Sequence, residues 1–184
     1  MNVVAISGSL RKASYNTALL RAAQKLAPDL NIEILEIGNL PLFNQDLEDS
    51  HFPEEVHVLR ARIKAADGVL VAVPEFNRAP AAPLKNFLDW SSRPEKDPLP
   101  WDGKPVGILG ASSGPRGASF AQYDVRRTMG YFNARVLGQP EFYLGNNVEK
   151  FDADLNLTDE RTIQSLQKFL DSFSEHVKNS SPTH

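Results

Sequence analysis

The chain contains no cysteine among its 184 residues. Disulfides, thiol nucleophiles and thiolate metal sites are therefore excluded. No apolar run approaches the roughly 20 residues needed to cross a bilayer. No basic, apolar leader precedes the first expected strand, so a cytoplasmic enzyme is the simplest expectation. Histidine is scarce: His51, His57, His176 and His184 share no ligand spacing with one another or with a carboxylate, and a metal site is not expected. Without His or Cys at the loops described below, a hydrolytic nucleophile is hard to build. An excess of one charge is missing too. Lys and Arg total 20 against 23 Asp and Glu, a formal net charge of −3, which gives no support for nucleic-acid or anionic-membrane binding. Both common nucleotide fingerprints are absent. The first loop has no second and third glycine for a dinucleotide turn, and no Gly-Lys-Ser/Thr end.

What is present begins at once. Val3-Val4-Ala5-Ile6 reads as a strand, residues 7–16 as a polar loop, and Leu19, Ala22, Ala23 and Leu26 as a helix stripe. A Ser- and Gly-rich loop entering a helix is a natural anion site, because its N–H groups lack helical partners and face the positive end of the dipole. Ser9, Ser14, Asn16 and Thr17 add side-chain donors, and Arg11 adds a planar charged fork. An anion held this way would be a terminal monophosphate, a description that flavin mononucleotide fits. Helix capping alone is the plainer alternative.

Alternation continues along the chain. Strands are expected over 32–37, 69–73, 105–110 and 134–137, the last resuming near Phe142. Segment 38–52 reads as a long loop, and 93–103 as another. Helices are expected from Pro53 to Ala66, through Leu84, Phe87, Leu88 and Trp90, and through Ala121, Val125 and Met129. The last helix has Thr158 as its cap and Ile163, Leu166, Leu170, Phe173 and Val177 as its buried stripe. One domain spanning 1–178 is expected, with 179–184 a disordered tail. Apolar strands alternating with helices five times imply an α/β fold with a three-layer, doubly wound, five-stranded parallel sheet. Ligands of such sheets bind beyond the carboxyl ends of the strands.

Three donor-rich loops would meet at that edge: 8–16, Pro74-Glu75-Phe76-Asn77, and 112–119. The second offers exposed backbone and an aromatic wall, and the third a close backbone approach at Ser113-Gly114. Glu75 and Asn77 also suit simple turn chemistry. Arg116 has three readings: a surface charge, an interface residue, or a contact to the phosphate of an incoming nucleotide. A cofactor carrying redox chemistry fits this edge better than hydrolysis.

Gly8-Ser9-Leu10-Arg11-Lys12-Ala13-Ser14-Tyr15-Asn16 resembles the G-S-x-R-x-x-S-x-N phosphate loop of the NADPH-dependent FMN reductase family, which includes flavin, quinone, azo-dye and chromate reductases. Pro74-Glu75-Phe76-Asn77 is similar to its P-E-Y-N motif, and Leu84-Lys85-Asn86-Phe87-Leu88-Asp89-Trp90 to its L-K-N-x-x-D-W segment. Gln122-Tyr123, Arg126-Arg127 and Gln139-Pro140-Glu141-Phe142 resemble its Q-Y-x-L-R and K-P-E regions. The resemblance implies a flavodoxin-like sheet of order 2-1-3-4-5, bound FMN, NADPH or NADH as co-substrate, a small-molecule acceptor, and a homodimer or homotetramer. It implies that Ser9, Arg11, Ser14, Asn16 and Thr17 hold the FMN phosphate. Pro74, Glu75, Phe76 and Asn77 would line the isoalloxazine, and Ser113 and Gly114 its pyrimidine side. Two departures stand out. Phe76 replaces the usual Tyr, and Phe120 falls near a common Arg position in a loop that departs from G-G-x-R-A. A flavodoxin-type electron carrier with a protein partner is the alternative function, one that usually brings a more acidic docking face.

Overall fold

Strand β1 (Val3–Ser7) is buried on both faces along its whole length. The computed structural model, which describes residues 1–94 and 97–180, shows why. β1 lies between β2 (Ile32–Leu35) and β3 (Gly68–Ala72), parallel to both. β3 in turn pairs in parallel with β6 (Pro105–Ala111). Two short strands, β7 (Arg135–Val136) and β8 (Phe142–Leu144), both pair with β6 and share the fifth position. The expected order 2-1-3-4-5 is observed, with β6 in fourth place. β4 (Glu75–Phe76) and β5 (Ala79–Pro80) form a separate antiparallel hairpin.

Side chains alternate across the sheet and feed two cores. Val3, Ala5, Leu70 and Ala72 pack with α1 (Tyr15–Leu26) and α6 (Glu160–Ser180). Val4, Ile6, Val69 and Val71 pack with α3 (Glu54–Ala65), α4 (Ala82–Ser91) and α5 (Ser119–Tyr131). Helices on both faces leave the carboxyl ends of β1, β3 and β6 as the open edge. Among the described residues no helix is long and apolar enough to cross a membrane.

Four local expectations need correction. The 38–52 loop contains a short helix, α2 (Gln45–Ser50), which starts because the Asn44 side chain accepts from the Asp46 N–H at 2.9 Å. In α6, Phe169 belongs to the buried stripe and Ile163 is only half-buried. The same helix runs through Ser180, two residues into the expected tail, and positions 181–184 lie outside the described residues, as do 95 and 96 of the 93–103 loop. The α6 cap is Asp159 rather than Thr158. Asp159 accepts from the Thr162 N–H at 2.9 Å, whereas the Thr158 hydroxyl is turned away to donate to Lys150 O at 3.4 Å.

That cap gives a pH prediction. The Thr162 hydroxyl, then the Thr162 N–H, hold the Asp159 carboxyl below its ordinary value. A carboxylate more acidic folded than unfolded stabilises fully above the unfolded value of about 3.9. The contribution is lost as pH falls through the lowered folded value. D159A should lower Tm at neutral pH, and its gap from the parent should close on acidification. Melts from neutral pH to about pH 2 check this.

Candidate functional site

The three loops at the open edge are bonded to one another. Gly8 N–H donates to Ala72 O at 2.9 Å, and Val73 N–H to Leu109 O at 2.9 Å. Gly8 also sits so close to the second loop that a Cβ there would lie 2.6 Å from Pro74 Cδ and 2.9 Å from Leu84 Cβ. The edge is thus one surface set by backbone contact, with Pro74 buried beneath it.

In the first loop, Ser14 caps α1 by accepting from the Thr17 N–H at 3.2 Å. The Thr17 hydroxyl meets the Ser7 hydroxyl at 2.8 Å, and Ser9 Oγ accepts from the Arg11 N–H at 3.3 Å. Among the described residues, the N–H groups of Lys12, Ala13, Tyr15 and Asn16 find no protein acceptor. Arg11 is exposed. Orphan amides, hydroxyls that can still donate and one free guanidinium at a helix N-terminus are the donor chemistry of a phosphate monoester site. A cleft of about 420 Å³ opens here, lined by Ser7, Ser9, Arg11 and Thr17 on one side and by 34–39 on the other.

Asn16 has a different occupation. It is 5% exposed, its Nδ2 donates to Ala111 O at 3.1 Å, and its Oδ1 accepts from the Ala111 N–H at 3.0 Å. Both carboxamide atoms therefore fasten the start of α1 to the end of β6. Asn16 joins the first loop to the third, and among the described residues its backbone N–H has no protein acceptor.

The second loop is the β4–β5 hairpin. Phe76 pairs with Ala79, so Asn77 and Arg78 form the turn, with φ of 52° and 65°. Two-residue hairpin turns need this left-handed geometry. The Glu75 carboxylate accepts from the Ala121 N–H at 3.0 Å and so caps α5, whose own cap position, Ala118, has no side-chain acceptor. E75A should cost about 1 kcal/mol of stability, read by chemical denaturation, and E75Q should recover most of it because an acceptor oxygen remains. Phe76 is 68% exposed and presents a bare aromatic face.

The third loop is held from below. Ser112 N–H donates to Leu144 O at 3.0 Å, and Gly114 O accepts from Ser112 Oγ at 3.0 Å and from the Asn146 N–H at 3.1 Å. Gly117, at φ 57°, packs so tightly on Tyr143 backbone that no Cβ would fit. Buried Gln122 donates to Gly117 O and Phe142 O, both at 3.1 Å, and fixes the loop to β8. Ser113 and Gly114 stay exposed, and the space beside the Gly114 Cα is open. Behind the loop, Arg126 meets Glu141 at 3.5 Å. Burial, then the Glu141 carboxylate, push the Tyr143 hydroxyl far above its ordinary value, so it stays protonated.

The structure therefore gathers Ser9, Arg11, Ser14, Thr17, Pro74, Glu75, Phe76, Asn77, Ser113 and Gly114 at one edge, while the Asn16 side chain serves the scaffold. The residues present fit FMN: free amides and Arg11 for its phosphate, an exposed aromatic wall and an open glycine flank for its ring. Sequence reasoning missed the positioning roles of Gln122 and of the Glu75 carboxylate, whose partners lie far along the chain. It also passed over Arg78, which the left-handed turn turns outward.

Residues 1–149 match the family described as NADPH-dependent FMN reductase. A 2-hydroxy-1,4-benzoquinone reductase of Burkholderia is 38% identical over 180 residues, covering 97% of each chain. An NAD(P)H-dependent FMN reductase of Pseudomonas aeruginosa is 40% identical over 179 residues, covering 97% of this chain and 96% of its own. Among solved structures, the flavoenzyme NAD(P)H:(acceptor) oxidoreductase FerB of Paracoccus denitrificans superposes with a TM-score of 0.88 at 37% identity, covering 97% of each chain.

Proposed function

The chain belongs to the NADPH-dependent FMN reductase family, and on that footing we propose how its residues serve an NAD(P)H-dependent FMN oxidoreductase acting on quinone-like or other small oxidised acceptors. When bound, FMN would supply the redox chemistry, hydride transfer between NAD(P)H and an acceptor. Everything else falls to the protein. The 8–16 loop holds the phosphate with Arg11, the hydroxyls of Ser9, Ser14 and Thr17, and the free amides at the start of α1. Pro74, Glu75, Phe76 and Asn77 line the ring, Phe76 excluding water from one side of it. The backbone N–H groups of Ser113 and Gly114 would stand as hydrogen-bond donors at the ring's pyrimidine side. No side chain at this edge need move a proton. Both substrates would use the same edge, so initial-rate plots should give the parallel lines of a ping-pong mechanism.

The observation that carries this reading is the bonded three-loop edge, with unpaired donors on one loop and bare aromatic and glycine surfaces on the other two. Family membership favours a reductase over a flavodoxin-type carrier. We further assign residues 1–180, through the end of α6, to a single FMN-binding domain, the assembly to a homodimer or homotetramer, and the location to the cytoplasm.

The phosphate assignment is tested by R11A. Loss of one charge-assisted contact should weaken FMN binding about tenfold. Riboflavin, which lacks the phosphate, should bind parent and variant alike. Fluorescence titration of the flavin-stripped proteins with both ligands reads the difference, and an equal loss for riboflavin would remove Arg11 from the phosphate.

A further inference from the structure

Two arginines at the rim of this edge share one aromatic ring. The Arg78 guanidinium carbon lies 5.0 Å from the centroid of Phe120, and that of Arg116 lies 5.6 Å from the same centroid. Arg78 comes from the hairpin turn of the second loop, Arg116 from the third loop, and Phe120 from the first turn of α5. Phe120 is 41% exposed, and both arginines are exposed. Among the described residues neither guanidinium meets a carboxylate. Some basic residues on the outer helices do: Lys85 pairs with Asp89 and Arg127 with Asp124. Gathering two like charges costs energy that one ring quadrupole only partly offsets. Uncompensated positive charge gathered at a site rim suits an anionic ligand.

We propose that Arg78 and Arg116, braced on Phe120, hold a phosphate group of the incoming nicotinamide dinucleotide. This rests on the reductase reading above and adds to it the residues that recognise the co-substrate. Arg78 follows Phe76 and Asn77 directly, and Arg116 lies two residues beyond Gly114, so each head flanks a segment assigned to the flavin ring. A nicotinamide laid on that ring must carry its charged portion out over the rim. A phosphate is the anion whose geometry suits two guanidinium forks. The ring keeps both forks extended before the nucleotide arrives, which lowers the entropy lost on binding. Phe120, one of the chain's departures from its family pattern, thus acts as a brace.

The test uses the FMN-loaded protein with R78A, R116A, the double variant, F120L, and R127A as a control that removes the same charge from α5. Calorimetric titration with NADP⁺ and with NAD⁺ gives Kd directly, and anaerobic stopped-flow reduction gives it again for NADPH and NADH. The double variant should bind at least about tenfold more weakly. F120L should fall in between, and R127A should match the parent. A shift for the phosphorylated nucleotide alone assigns the 2′-phosphate, and a shift for both assigns the diphosphate. Kd values within about twofold of the parent for all nucleotides would overturn the clamp. If the parent's flavin bleaches with saturating NADPH while Kd is unmoved in the variants, only the clamp fails. If it does not bleach, the reductase reading fails first.

Discussion

Asn16→Ala should cost about 3 kcal/mol of stability, because it strands a buried N–H and a buried C=O of Ala111 at once. Neither Ala111 group has another place to go: the residue is 4% exposed and lies at the end of β6. Asn16→Asp should be nearly as harmful, since a carboxylate can accept from the Ala111 N–H but cannot donate to its carbonyl. The effect should reach the site too, as the contact is what sets the first loop against the third. Urea unfolding checks the stability, with the midpoint moving and the slope unchanged. FMN titration checks the site. A loss under about 1 kcal/mol would mean that water or neighbouring backbone satisfies Ala111 when Asn16 is removed.

Gly8→Ala should damage both stability and the site. Its Cβ would fall 2.6 Å from Pro74 Cδ and 2.9 Å from Leu84 Cβ. A proline ring atom and a Cβ cannot rotate aside, so the first two loops must separate. Overpacking of this kind costs about 1–3 kcal/mol. The separation also moves the amides assigned to the phosphate away from the hairpin assigned to the ring, so FMN affinity should drop by about tenfold or more. Gly130→Ala is the control. Its Cβ would meet nothing within 4 Å, it lies in α5, and it should be neutral or stabilising. Equal stability and FMN affinity in Gly8→Ala and the parent would show that the loop contact is looser than the geometry indicates.

These two residues also show how far the sequence could be read. Gly8 and Asn16 stand in a motif recognisable from the chain alone, the parallel α/β sheet follows from apolar runs such as Val69 to Val73 alternating with amphipathic helices, and the strand order from the family resemblance. What a motif does not carry is its long-range partners. Asn16 has the donor and acceptor atoms of a phosphate ligand, and only the fold reveals that Ala111, 95 positions away, takes both. Glu75 has the composition of a turn, yet its carboxylate caps a helix 46 positions further on. The error at Thr158 was smaller and local. Two adjacent residues were both competent caps, and the turn at Lys150 claimed the first. Phe120 looked like a lost arginine, but in space it gathers two arginines from different loops.

The edge is built so that scaffold bonds are made between loops and ligand bonds are left open within them. The Asn16 carboxamide, the Glu75 carboxylate and the Gln122 amide N–H groups hold the three loops in register. Among the described residues, the Arg11 guanidinium and the first amides of α1 are left without protein partners. Addition of NADPH to the purified, flavin-replete protein under anaerobic conditions tests this account most directly, followed by addition of a benzoquinone. The account predicts that the visible flavin band bleaches rapidly and that the quinone restores it in a one-to-one ratio. A band that persists under NADPH would contradict it in favour of an electron carrier. A protein that takes up no FMN even after soaking would mean that the three loops do not form a flavin site.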